Sequence, residues 1–411
     1  MSAQQSPRPL AGFRIVDLSR VLAGPWATQL LADLGAEVIK IERPARGDDS
    51  RSFGPPFLPA EDGAWTGASA MFLAANRGKR SLTLDLGREE GRALLRDLVA
   101  TADVLVENFK VGTLARMGLD AATLRMINPG LIVCSITGYG QTGPYADRGG
   151  YDPVIQGLCG LMSVTGNPPE MPGGGPMKTG PSLVDIVTGL YAVIAIQAAL
   201  IERGKDGPGV DLDLSLMDCG VAVMAQQAMH YALTGTPPRP IGTGANGGVP
   251  GGGYACADGH IMIAPGNDAG YARMCGAIGR GDLATDPRFV SNRDRLAHRD
   301  ELLGILEPIF ASWTVADLYA ALLAADVPSG PVNDLAQVEA DPQVVARGLF
   351  ASRAGQDGRA VPQVASPLVY GGSRAMAEMP PPRLGQDNDA LLAELGRDDE
   401  AREALRAANI V

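Results

Sequence analysis

The chain has 411 residues, 45% of them hydrophobic and 20% charged, with a formal net charge of −11. This is the composition of a globular protein too long for one ordinary core, which suggests two domains. The acidic balance argues against a general nucleic-acid binder, whose affinity comes from neutralising phosphates. Five scattered cysteines without a Cys-x-x-Cys, and only three histidines, predict neither a disulfide framework nor a metal site. They point to a reducing, cytoplasmic compartment. Met1–Arg8 is polar and lacks the layout of a secretory signal.

Taken in order, Phe13–Leu18 reads as a strand, Pro25–Leu34 as a helix and Glu37–Glu42 as the next strand. Ser81–Leu86 is strand-like, Glu89–Ala102 helical, and Asp103–Phe109 and Leu131–Ile136 are strand-like again. This alternation predicts an α/β fold with helices covering a parallel sheet. The turn Ser19–Pro25 carries Ala23-Gly24-Pro25 and lacks the Gly-x-Gly-x-x-Gly of a dinucleotide fold, so NAD or FAD is not expected.

The apolar run Gly189–Ile201 is too short to cross a bilayer and reads as a buried helix, so no membrane span is predicted. Asp185 precedes it, with Ile186, Leu190, Ile194 and Ala198 near helical spacing. At a helix N-terminus the amide dipoles would favour the ionised carboxylate. By local pattern alone, Asp185 reads as a helix cap. Thr234–Gly253 is rich in Gly and Pro, and a domain boundary is placed near its start. Tyr254–Ala264 is strand-like, while Arg299–Ala311, Val315–Ala325, Leu391–Leu395 and Glu400–Ala407 are helical.

Several motifs recur in a fixed order: Val16-Asp17-Leu18 with Ala23-Gly24-Pro25, Leu34-Gly35-Ala36 with Val38 to Pro44, and Asn76 to Leu86. Val106 to Phe109, Ser135 to Gly140, Gly180 to Gly189 and Pro380 to Gly385 follow. Together they resemble the class III CoA-transferases, the group containing formyl-CoA transferase, carnitine CoA-transferase and the succinate and hydroxymethylglutarate transferases. The resemblance spans nearly the whole chain. It implies a Rossmann-like large domain, a smaller α+β domain and a C-terminal segment that returns to the large domain. The divisions expected on this basis are 1–225, 226–327 and 328–411. It also implies an interlocked homodimer, an acyl-CoA and a carboxylic acid as small-molecule partners, and coenzyme A as a substrate rather than a resident cofactor.

In the motif Gly180-Pro181-Ser182-Leu183-Val184-Asp185, the family's catalytic aspartate falls on Asp185. A carboxylate suits the chemistry: attack on a thioester gives a mixed anhydride, and return of the thiolate leaves an aspartyl-CoA thioester with the energy conserved. The positions matching the family's CoA contacts are Leu22, Ala23, Arg43, Leu84, Asn108, Phe109, Arg116, Gly138, Tyr139 and Gly140, with Arg20 a further candidate. Taken singly, Arg43 and Arg116 read as solvated surface residues. Thr137 stands where formyl-CoA transferases carry a lysine. Gly247-Gly248 and Gly251-Gly252-Gly253 resemble the mobile loop that covers aspartyl intermediates, where excluding water protects an activated acyl group; taken alone, the stretch reads equally as a flexible interdomain connection.

Two other readings remain. An α-methylacyl-CoA racemase would need a histidine where Gly150-Tyr151-Asp152 stands, and a tyrosine is a poor base near neutral pH. A non-catalytic CoA-binding protein would have kept the fold and lost turnover. Tyr151–Gly166 resembles the dicarboxylate-handling transferases, which makes succinyl-CoA the expected donor.

Overall fold

The computed structural model describes residues 8–59, 65–244, 247–355 and 358–411. Its main sheet is built from β1 (Arg14–Asp17), β2 (Glu37–Glu42), β3 (Lys79–Thr83), β4 (Val104–Glu107), β5 (Ile132–Thr137) and β6 (Asp211–Ser215). All five pairings are parallel, and the order is β3-β2-β1-β4-β5-β6. The helices used below are α1 (Ala23–Asp33), α2 (Glu89–Val99), α3 (Asp152–Leu158), α4 (Leu183–Arg203) and α5 (Leu216–Val223).

Strands β4 and β5 are mostly apolar because both faces of the sheet are covered there, while β2 and β3 also carry the buried Lys40 and Lys79. Successive residues point to opposite faces, so Ile15 and Val16 enter different cores. On one face Ile15, Val38, Val106 and Cys134 meet Leu31 of α1 and Ile196 of α4. On the other, Val16, Ile39 and Leu105 meet Leu94 and Leu98 of α2, together with Leu391, Leu392 and Ile410 near the C-terminus. Residues near the C-terminus thus pack on this face of the sheet.

Helix α4 runs from Leu183, ahead of the apolar stretch, and has 21 residues. By length and composition it would match a bilayer span, but Val184, Ala192, Ile196 and Leu200 are buried within the first core. It lies tightly against α1, since a Cβ on Gly189 would come within 2.8 Å of the Ala23 carbonyl oxygen. The strand order reverses between β1 and β4, and in an open parallel sheet the crevice beyond the strand C-termini at such a reversal is where ligands bind.

The chain divides into two compact units: the first contains residues up to Leu161, Thr179–Thr234 and Gln343–Val411, the second Met162–Lys178 and Gly235–Pro342. The crossings therefore fall at 234/235 and 342/343 rather than 225/226 and 327/328, and residues 162–178 are an excursion that the sequence patterns did not signal. The second unit holds an antiparallel sheet of β7 (Gly252–Ala255), β8 (His260–Ile263) and β9 (Ser329–Pro331), over a core containing Ile261, Met274, Leu306 and Phe310. The strand-like Tyr254–Ala264 is in fact most of a hairpin, bent at Ala257-Asp258-Gly259, where a Cys256 N–H to Gly259 oxygen bond of 2.8 Å closes the turn.

Candidate active site

The site begins with the turn between β1 and α1. Val21 has φ of +72°, a left-handed conformation that a β-branched side chain strongly disfavours, so the surrounding structure must impose it. Asn108, just past β4, accepts the Arg20 N–H at 2.9 Å and donates to the Arg20 carbonyl at 2.7 Å. The Val21 N–H donates to Asp48 Oδ1 at 3.1 Å. The two strand ends at the order reversal are thereby stitched together.

Beneath the turn lies a buried ionic layer. Lys40 Nζ donates to the Ser19 carbonyl at 3.0 Å and pairs with Asp48 at 2.8 Å. Lys79 Nζ donates to the Pro25 carbonyl, to Asn76 Oδ1 and to Asp17 Oδ2 at 2.8–3.0 Å. Burial alone would raise the Asp17 carboxyl, but Lys79 and Lys40 hold it at about 2. The Lys79 ammonium is depressed to about 8 because burial outweighs the attraction of Asp17. The Val16-Asp17-Leu18 and Asn76 to Leu86 motifs are thus parts of one support for the turn.

Asp185 sits in the first turn of α4, where Asp152, the first residue of α3, reaches the same backbone. Asp152 Oδ2 accepts from the Val184 N–H at 2.8 Å and the Asp185 N–H at 3.2 Å. Its other oxygen accepts from Gln156 Nε2 at 2.6 Å, and Gln156 Oε1 accepts the Thr179 N–H at 2.9 Å. Burial, and secondarily the nearby Asp152 charge, raise the Asp185 carboxyl from 3.8 to about 7. The helix-terminus dipole expected to favour ionisation is thus overridden, first by burial and then by the Asp152 carboxylate that already occupies those N–H groups.

A cavity of about 280 Å³ opens at the order reversal, lined by the loops after β1, β4 and β5 and by Asp185. Of the residues singled out from sequence, Leu22, Ala23, Asn108, Phe109, Gly138 and Asp185 line it, as does Arg20. Arg20 bonds Asp49 at 2.6 Å and lies over the Phe109 ring. Arg43, Leu84, Arg116, Tyr139 and Gly140 are not on its wall. Arg43 shares Asp49 with Arg20, at 2.9 Å, and Arg116 bonds Thr113 at 3.0 Å. The Leu84 side chain is buried in the second core, Tyr139 stacks edge-on to Tyr145, and the Gly140 N–H is accepted by Thr137 Oγ1 at 2.9 Å. Gly251, Gly252 and Gly253 belong to the second unit, Gly252 opening β7.

Sequence reasoning did not single out Lys110, Arg148 or Asp49, which also line the cavity, nor the capping role of Asp152. No local signal marks a carboxylate that caps a helix more than thirty residues ahead. Among the described residues, no group of three or more His, Cys, Asp or Glu is placed to hold a metal ion.

Residues 10–388 match CoA-transferase family III. Over 387 residues the chain is 47% identical to succinate–glutarate CoA-transferase of Agrobacterium fabrum, covering 94% of this chain and 96% of that protein. Over 406 residues it is 38% identical to succinyl-CoA:glutarate CoA-transferase of Homo sapiens, covering 98% and 90%. Among solved structures, a CAIB/BAIF family protein from Brucella suis superposes with a TM-score of 0.85 at 45% identity, covering 95% of this chain and 100% of that one.

Proposed function

The chain belongs to CoA-transferase family III and is a CoA-transferase, and from that premise we propose that it moves CoA from succinyl-CoA to a dicarboxylate acceptor through covalent intermediates on Asp185. The observation that carries this reading is the Asp185 carboxylate on the wall of the cavity at the strand-order reversal. The names of two relatives, both transferases acting on succinate or succinyl-CoA and glutarate, support the choice of acids.

In this reading the ionised Asp185 attacks the acyl carbonyl of the donor thioester, the C–S bond breaks, and the CoA thiolate leaves an aspartyl–acyl anhydride. The thiolate attacks the aspartyl carbonyl and expels the donor acid as its carboxylate. The acceptor carboxylate then attacks the aspartyl-CoA thioester, releasing thiolate and forming a second anhydride. Thiolate attack on the acceptor carbonyl yields the new acyl-CoA and restores the Asp185 carboxylate. No proton is gained or lost overall, so the cycle needs no general acid.

The coenzyme is read as lying along the turn Arg20–Ala23, Asn108, Phe109 and Gly138; Arg43, Leu84, Arg116, Tyr139 and Gly140 are kept only as contacts that the family resemblance implies. Gly251–Gly253 would act as the cover that excludes water. The order β3-β2-β1-β4-β5-β6 supports a Rossmann-like description of the large unit. An interlocked homodimer is supported by apolar surface on that unit. Helix Ala225–Thr234 has no buried residue, and Ile194, Ile201, Met229 and Leu233 are exposed. Five free thiols suit a cytoplasmic enzyme.

The test is a mass-spectrometric screen of CoA donors against mono- and dicarboxylates. Exchange between succinyl-CoA and glutarate is expected, and exchange confined to monocarboxylates would defeat the choice of acids.

A further inference from the structure

The cavity that holds Asp185 has three cations on its wall, Arg20, Lys110 and Arg148. Arg20 is already paired with Asp49. Lys110 stands beside Asn108 and Phe109, on the loop read as coenzyme-binding. Arg148 is exposed, and no acidic side chain pairs with it among the described residues. It is nevertheless held in place.

Its guanidinium lies over the Tyr145 ring, 3.7 Å from the centroid, and Tyr145 is braced edge-on by Tyr139, which packs on the first core. A guanidinium stacked by its face keeps its N–H edge free for a planar carboxylate. The loop is pinned where Gly150 meets Gly138, since a Cβ on Gly138 would lie 2.7 Å from Gly150 Cα. Four residues after Arg148 comes Asp152, whose carboxylate holds the Asp185 amide. Four extended residues span at most ~14 Å. An arginine side chain and a four- or five-carbon diacid together bridge such a span.

We propose that Arg148 is the specificity-determining residue that pairs with the distal carboxylate of the dicarboxylate while Asp185 reacts at its other end. This rests on the dicarboxylate reading above. Because donor and acceptor acids occupy the same place in turn, one arginine serves both half-reactions.

The test compares glutarate with pentanoate, which has the same chain length and no distal carboxylate, as acceptors for the full-length wild-type protein, Arg148→Gln and Arg148→Lys. For Arg148→Gln, the ratio of kcat/KM for glutarate over pentanoate is expected to fall about tenfold to a hundredfold, mainly through the KM for glutarate. Arg148→Lys should recover part of the ratio, and free CoA should bind all three proteins equally. An unchanged ratio overturns the proposal, as does weakened binding of free CoA by Arg148→Gln, which would make Arg148 a coenzyme contact. If the wild-type protein itself shows no preference for glutarate, the choice of acids fails, and Arg148 loses this role with it.

Discussion

The Asp152 carboxylate caps the helix that carries Asp185, accepting the N–H groups of Val184 at 2.8 Å and of Asp185 at 3.2 Å. One acidic side chain therefore fixes the backbone at Asp185 and also makes the Asp185 carboxyl harder to ionise.

The first prediction follows from this coupling. Attack requires the Asp185 carboxylate, so kcat/KM should fall as pH drops through about 7. Asp152→Asn removes a negative charge while leaving an amide oxygen to accept hydrogen bonds, so the acid limb should move to lower pH. Asp152→Ala removes the acceptor as well, and should cost about 1–3 kcal/mol of stability. The pH profiles of the variants check this, and an unshifted limb in Asp152→Asn would contradict it.

A second prediction concerns stability. The folded-state value of Asp185, about 7, lies above its reference value of 3.8, so the stability tied to its protonation is complete below that reference and lost as pH rises through about 7. Asp185→Asn escapes this loss. The variant should be more stable than the wild type by ~2–4 kcal/mol at pH 8, with the gap closing toward pH 4. Urea unfolding at several pH values measures it, and a gap independent of pH would refute it.

These relationships also mark what the sequence could convey. Glu37–Glu42 is read with the bounds it has in the structure, because an apolar run between helices has one use in a parallel sheet. Strand β6, Asp211–Ser215, goes unread although Asp-Leu-Asp-Leu-Ser alternates as an edge strand does, because it has none of the β-branched residues by which the other strands are read. Asp185 is legible through its motif. Its capping partner is not, because Asp152 and Asp185 meet only after α3 and α4 have docked. The same holds for Arg148, whose stacking on Tyr145 depends on the pinned loop.

The third prediction is that the layer beneath the turn is structural. Lys79→Met strands the buried Asp17 carboxylate and should cost ~3–5 kcal/mol. Adding Asp17→Asn should recover much of that loss, as chemical denaturation of the single and double variants would register. Equal stability of the single and double variants would argue against the pairing.

A fourth prediction addresses assembly. Interlocked protomers cannot part without local unfolding, so sedimentation should find a dimer at all concentrations down to the nanomolar range, about a thousandfold below typical weak association. A folded monomer that appears reversibly on dilution would exclude the interlocked arrangement.

Covalent chemistry at Asp185 is tested most directly by peptide mapping after incubation with succinyl-CoA and hydroxylamine. An aspartyl thioester is an activated acyl group, so hydroxylamine should convert Asp185 to a hydroxamate in the wild-type protein, and no modification should appear without the acyl-CoA. An unmodified Asp185 while CoA exchange continues would mean that the acceptor reaches the donor by another route.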